Sequence, residues 1–128
     1  MWFYRMLLLG CGGLLGTLAR YWLSGWIAQR YGETIPFGTL AVNLVGCFLI
    51  GASFYLTEEY LVVDPLWRTA WMLGFLGGLT TFSSYSLQVI LLVRDGEFWP
   101  AALYVCASNV LGLGLAWLGY RGARAIIG

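Results

Sequence analysis

Gly74-Phe75-Leu76-Gly77-Gly78-Leu79-Thr80-Thr81-Phe82-Ser83-Ser84-Tyr85-Ser86 lies in the middle of an apolar run long enough to cross a bilayer. The stretch holds three glycines and five serines or threonines. Hydrocarbon does not tolerate unpaired backbone amides, so a spanning segment is normally an uninterrupted helix. Interrupted backbone survives at membrane depth only where it is buried in protein or lines a polar cavity. Broken helices of that kind are where membrane proteins hold ions. The stretch therefore predicts an ion site inside the membrane, and the rest of the chain bears on which ion.

The composition agrees with a membrane setting. The 128 residues are 60% hydrophobic and 10% charged, and the mean hydropathy of +0.78 is far from soluble globular usage. There is no lysine and no histidine, and a net charge of +1 offers nucleic acid nothing to bind. Cys11, Cys47 and Cys106 sit singly in apolar runs, so no metal-ligand cluster or Cys/His nucleophile pair can be assembled. An enzyme is not indicated. The N-terminal apolar run continues through Arg20 without a small-residue cleavage pattern, so it reads as a mature helix.

A spanning helix needs about 20 apolar residues. The charges divide the chain into four such segments, Met6 to Ala28, Phe37 to Thr57, Leu66 to Val93 and Phe98 to Tyr120. Turn signals join them at Gln29-Arg30-Tyr31-Gly32-Glu33, Glu58-Glu59 through Asp64-Pro65, and Arg94-Asp95-Gly96-Glu97. The predicted fold is an all-α integral membrane protein with one domain over residues 1–128, the third of its four helices broken near its middle. Aromatic residues such as Trp2, Tyr31, Trp67 and Tyr120 fall near the span ends, where amphipathic rings prefer to sit. Arg5, Arg68, Arg121 and Arg124 lie on the side of both termini, and Arg30 and Arg94 on the other. Four against two is a small bias under the positive-inside rule. Two orientations stay open: termini in the cytoplasm, or insertion both ways with antiparallel pairing. Four packed helices have no lumen, so a pore requires a second copy. Gly12-x-x-x-Gly16, Cys47-x-x-x-Gly51 and Ser108-x-x-x-Gly112-x-x-x-Ala116 allow close helix contact, within one bundle or between copies.

Several polar residues stand inside the spans. Arg20 either snorkels to the nearer interface or faces a wet vestibule and draws in an anion; no Asp or Glu lies within any span to pair with it. Asn43 and Asn109 offer amide donors to an anion or to a neighbouring helix. Tyr104, Ser108 and Gly112 recur every four residues on one face, so two hydroxyls form a short column. Ser108 alternatively bonds back to its own helix. Where the third helix opens, around Gly77 to Thr80, the first half ends in free carbonyls that suit a cation. The second half begins with free N–H groups that suit an anion, and Thr81 and Ser84 can cap that start. Phe82 and Tyr85 share a face at i, i+3 spacing. Their positive ring edges can line an anion path or simply pack.

Together these residues resemble the Fluc/CrcB fluoride channel family. The resemblance covers all four spans. It rests on Gly12-x-x-x-Gly16-x-x-x-Arg20-Tyr21, on Pro36-x-Gly38-Thr39-Leu40-x-x-Asn43-x-x-Gly46, and above all on Gly74 to Ser83. It implies an antiparallel, dual-topology homodimer in the bacterial inner membrane that lets fluoride leave the cytoplasm passively through two pores. It also implies a structural sodium ion at the dimer centre, held by the backbone carbonyls of Gly77 and Thr80 from each subunit. Asn43, Phe82, Ser83, Ser84, Tyr85, Tyr104 and Ser108 would line the fluoride path, with Arg20 near the vestibule. Two positions depart from the family pattern: Tyr85 stands where a second phenylalanine is usual, and Gly112 where some members carry another hydroxyl. The rival reading is a small dual-topology, proton-coupled multidrug exporter, which needs a membrane-embedded carboxylate that this chain lacks. A second rival, a non-transporting assembly protein, would have no need of a broken helix.

Overall fold

A computed structural model describes residues 1–128 as an all-helical bundle without strands. Helix α1 spans Trp2–Tyr31, α2 runs Phe37–Tyr60, α3 covers residues 65–79, α4 is Phe82–Arg94 and α5 is Phe98–Ile127. Consecutive in sequence, α3 and α4 form the third of four segments long and apolar enough to cross a membrane. The spans outrun the hydropathy limits at six of their eight ends, the starts at Phe37 and Phe98 being as expected. At about 1.5 Å per residue, the 30 residues of α1 reach about 45 Å, which exceeds the ~30 Å hydrocarbon layer. The ends therefore carry arginines and aromatic rings, and apolarity alone underestimates such helices. Two stretches, Tyr55–Tyr60 in α2 and Ala70–Leu76 in α3, are wound as wider π-helix.

The connections follow from local chemistry. Gly32 and Gly96 take φ values of +84° and +77°, left-handed conformations open to glycine, and they close the turns after α1 and α4. Asp64 caps α3 by accepting from the Leu66 N–H at 2.8 Å, with Pro65 at the first helical position.

Glycine sets the packing distance. A Cβ on Gly16 would run into the Phe75 carbonyl, and one on Gly78 would lie 2.6 Å from the Gly13 oxygen. The first and third spans thus touch backbone to backbone. A similar contact joins α2 to α5, where a Cβ on Gly51 would meet the Ala116 carbonyl. Only 15 of 128 residues are buried, so most of the apolar surface must be covered by lipid or by another protein. One buried cluster, Val42, Leu76 and Leu79, packs beside the break; the other, Leu92, Ala101 and Tyr104, holds α4 against α5.

Candidate functional site

The break falls at Thr80 and Thr81, the midpoint of the third span. Their backbones are extended, at φ −94°, ψ 156° and φ −150°, ψ 125°. The opening expected from Gly77 onward is narrower than the glycines suggested, because Gly77 itself keeps helical dihedrals of −64° and −35°. Here glycine serves close approach, as at Gly78 against α1, and the threonines carry the extended turn. Thr81 caps α4: its hydroxyl accepts from the Ser84 N–H at 3.1 Å. Ser84 contributes that backbone donor, while Ser83 Oγ lies 3.4 Å from Thr81 Oγ1 on the exposed side.

Two long-range contacts hold the break open. Asn43 reads the Thr81 peptide from both sides: Oδ1 accepts from the Thr81 N–H at 2.7 Å, and Nδ2 donates to the Thr81 carbonyl at 3.0 Å. In a continuous helix the Thr81 N–H would close onto Gly77 O. Diverted to Asn43, it leaves that carbonyl without its helical donor. No backbone N–H outside the helices donates to either the Gly77 or the Thr80 carbonyl. On the other side, Arg20 Nε donates to Gly78 O at 2.9 Å. A cation at a helix C-terminus meets the negative end of its dipole. The half-buried Arg20 thus finds a backbone carbonyl as partner rather than the carboxylate that the spans lack. Gly46 completes the frame. The Thr80 methyl sits where a Cβ on Gly46 would stand.

A cavity of about 380 Å³ opens beside the break, lined by Asn43, Gly77, Thr80, Phe82, Tyr85 and Ser108 among others. Six of the expected site residues therefore meet in one place. The Phe82 and Tyr85 rings lie 5.5 Å apart, and Tyr85 is 5.2 Å from Tyr104. Ser108 Oγ is buried without a hydrogen-bond partner, so it does not bond back to its own helix. Ser83, Ser84, Tyr104 and Arg20 lie outside this lining.

Tyr104 instead joins a second polar group. Its hydroxyl donates to Gln88 Oε1 at 2.8 Å, and Gln88 Nε2 donates to Thr39 Oγ1 at 2.8 Å. Thr39 and Gln88 border a separate cavity of about 620 Å³ below the α1–α2 turn, with Trp22, Trp26 and Phe37 around its rim. Neither Thr39 nor Gln88 was singled out for a role by its sequence pattern. The available signal was Gln88 at i+3 from Tyr85, which places an amide on the face that carries the two rings.

The chain can be compared with known proteins on this basis. The family described as CrcB-like protein, Camphor Resistance (CrcB), matches residues 7–120. A protein of Geotalea daltonii named fluoride-specific ion channel FluC is 42% identical over 94% of this chain and 98% of its own. Proteins with the same name are 44% identical in Solibacter usitatus, over 94% of this chain and 98% of that one, and 49% identical in Opitutus terrae, over 91% and 90%. With four membrane spans, a break midway along the third, and a match along nearly the whole length, the chain belongs to the CrcB-like family.

Proposed function

We propose that the chain is a fluoride-specific ion channel that lets fluoride leave the cytoplasm passively through two pores of a dimer in the bacterial inner membrane. One observation carries this reading. The cavity at the broken helix is lined by a buried, unpartnered hydroxyl and two aromatic rings, and by no acidic residue. A proton-coupled exporter of cationic drugs needs a carboxylate at that depth; every Asp and Glu of this chain lies in a turn or at the end of a span. Relatives named as fluoride-specific ion channels support the same choice.

Fluoride is strongly hydrated, so a pore must replace water with hydrogen-bond donors. Ser108 offers an uncommitted hydroxyl, Asn43 a second amide N–H beyond the one given to Thr81, and Ser83 and Ser84 further donors at the start of α4. The Phe82 and Tyr85 rings narrow the path and present positive edges that larger halides fit less well. Tyr104, whose own proton goes to Gln88, holds Gln88 and Thr39 as donors farther along, beside the second cavity. Arg20 adds positive potential near the break while fastened to Gly78.

The pore is completed by a second, antiparallel copy. The first cavity is open on the flank of a single chain, Gly77 is exposed there, and the Phe82 ring is 79% exposed. The residues present fit a structural sodium ion. Gly77 and Thr80 offer carbonyl oxygens freed from helical donors, the ligands that unwound backbone supplies to such a cation. Bound between two copies, sodium would lower the electrostatic cost of an anion near mid-membrane. The test is efflux from liposomes reconstituted with the purified protein and loaded with fluoride or chloride, followed by an anion electrode. Fluoride efflux without chloride efflux is expected; no fluoride efflux, or equal chloride efflux, refutes the reading. Crosslinking that traps only parallel pairs refutes the antiparallel dimer.

A further inference from the structure

Asn109 determines which way the Tyr85 hydroxyl points its proton. Asn109 stands on α5 next to Ser108, and its Nδ2 makes two contacts. It donates to the Val105 carbonyl of its own helix at 2.9 Å and to the Tyr85 phenolic oxygen at 3.3 Å. A carbonyl only accepts, so the Val105 contact identifies that atom as the amide nitrogen. Both its N–H groups are then committed, and the Tyr85 oxygen is an acceptor toward Asn109. The phenol keeps its own proton, and no group of the chain takes it. Tyr85, whose oxygen accepts from Asn109 but whose proton is ungiven, lines the cavity at the break together with Ser108, whose hydroxyl has no partner at all. The Ser108 oxygen is buried, and buried hydroxyls ordinarily find an acceptor. Two uncommitted O–H groups at one cavity call for a ligand that accepts hydrogen bonds and carries no protons of its own.

We propose that the Tyr85 hydroxyl is an anion-binding donor in the pathway and that Asn109 is the positioning residue that directs it. This rests on the fluoride-channel reading above and deepens it. The amide N–H donated into the phenolic oxygen also polarises the O–H bond, which strengthens its donation to an anion. A phenylalanine at position 85 would present only a ring edge. This chain thus adds a discrete hydrogen bond at that level and holds fluoride more tightly there. Asn109 also borders the cavity, but with both N–H groups committed it acts through Tyr85.

A double-substitution cycle on the full-length protein in liposomes tests this. Initial fluoride efflux is measured over a range of fluoride concentrations for the unaltered protein, Tyr85→Phe, Asn109→Leu and the pair. Tyr85→Phe is expected to raise the half-saturating fluoride concentration about tenfold, the low end for one hydrogen bond to a charged group, with a smaller change in maximal flux. Asn109→Leu should raise it in the same direction when Tyr85 is present and leave it unchanged in the Tyr85→Phe background. Asn109→Ser, which is shorter and cannot bridge Val105 and Tyr85, should behave like Asn109→Leu; matching elution on size exclusion shows that each variant folds. The inference is overturned if Tyr85→Phe leaves half-saturation unchanged, or if Asn109→Leu has the same effect in both backgrounds. An unaltered protein that passes no fluoride would instead overturn the channel reading, and this inference with it.

Discussion

Asn43 is the residue whose removal has the most directly calculable effect. Asn43→Ala deletes both bonds to the Thr81 peptide, one of 2.7 Å and one of 3.0 Å, and leaves an N–H and a carbonyl at a helix break in mid-span. Stranding a buried backbone group costs about 1–3 kcal/mol. Interhelical hydrogen bonds in membranes average about 0.6 kcal/mol and reach about 1.7. Two bonds at the mean give about 1 kcal/mol and two at the maximum about 3. The upper figure applies here, because the neighbouring Thr81 hydroxyl is already committed to the Ser84 N–H. Asn43→Asp separates the two bonds. A carboxylate still accepts from the Thr81 N–H but cannot donate to its carbonyl, and it sets a negative charge on the anion path. Equilibrium unfolding in mixed micelles should show Asn43→Ala less stable by about 3 kcal/mol. Liposome efflux should show Asn43→Asp nearly silent to fluoride. An Asn43→Ala protein within about 0.5 kcal/mol of the original would refute the clamp, since even two average bonds exceed that. Normal fluoride flux through Asn43→Asp would exclude Asn43 from the path.

Three further predictions follow the same geometry. Gly46→Ala places a methyl where the Thr80 Cγ2 now lies, so Thr80 must turn away; fluoride efflux should fall at least about tenfold while far-UV circular dichroism stays unchanged. Gln88→Leu removes the acceptor of the buried Tyr104 hydroxyl and should cost about 1–3 kcal/mol in micelle unfolding, a cost that adding Tyr104→Phe largely recovers. Replacing sodium with N-methylglucamine throughout purification should lower the thermal midpoint of the unaltered protein, and a midpoint indifferent to sodium would refute a structural sodium ion at the Gly77 and Thr80 carbonyls.

Much of this protein is legible along the chain because its solvent imposes one-dimensional rules. A bilayer demands apolar runs of a set length and pushes charges to the turns. The four spans and their connections at Gly32, Asp64-Pro65 and Gly96 therefore follow from hydropathy and turn chemistry. Thr81 as the cap of α4 is equally local, since cap and capped N–H are three residues apart. What hydropathy could not supply are partners distant in sequence. Arg20 reads as a lone cation until folding brings it to the Gly78 carbonyl, 58 positions away. Asn43 reads as a free amide until it meets Thr81, 38 positions on, and Gln88 goes unnoticed until Thr39 and Tyr104 close around it. The exact site of the break is tertiary for the same reason. Gly77 and Gly78 marked the region, but Gly77 keeps helical dihedrals and Gly78 serves the close approach to α1, while the Asn43 clamp sets the opening at Thr80 and Thr81. The membrane dictates where helices run; the pairing of backbone groups that it leaves without water dictates where one of them stops.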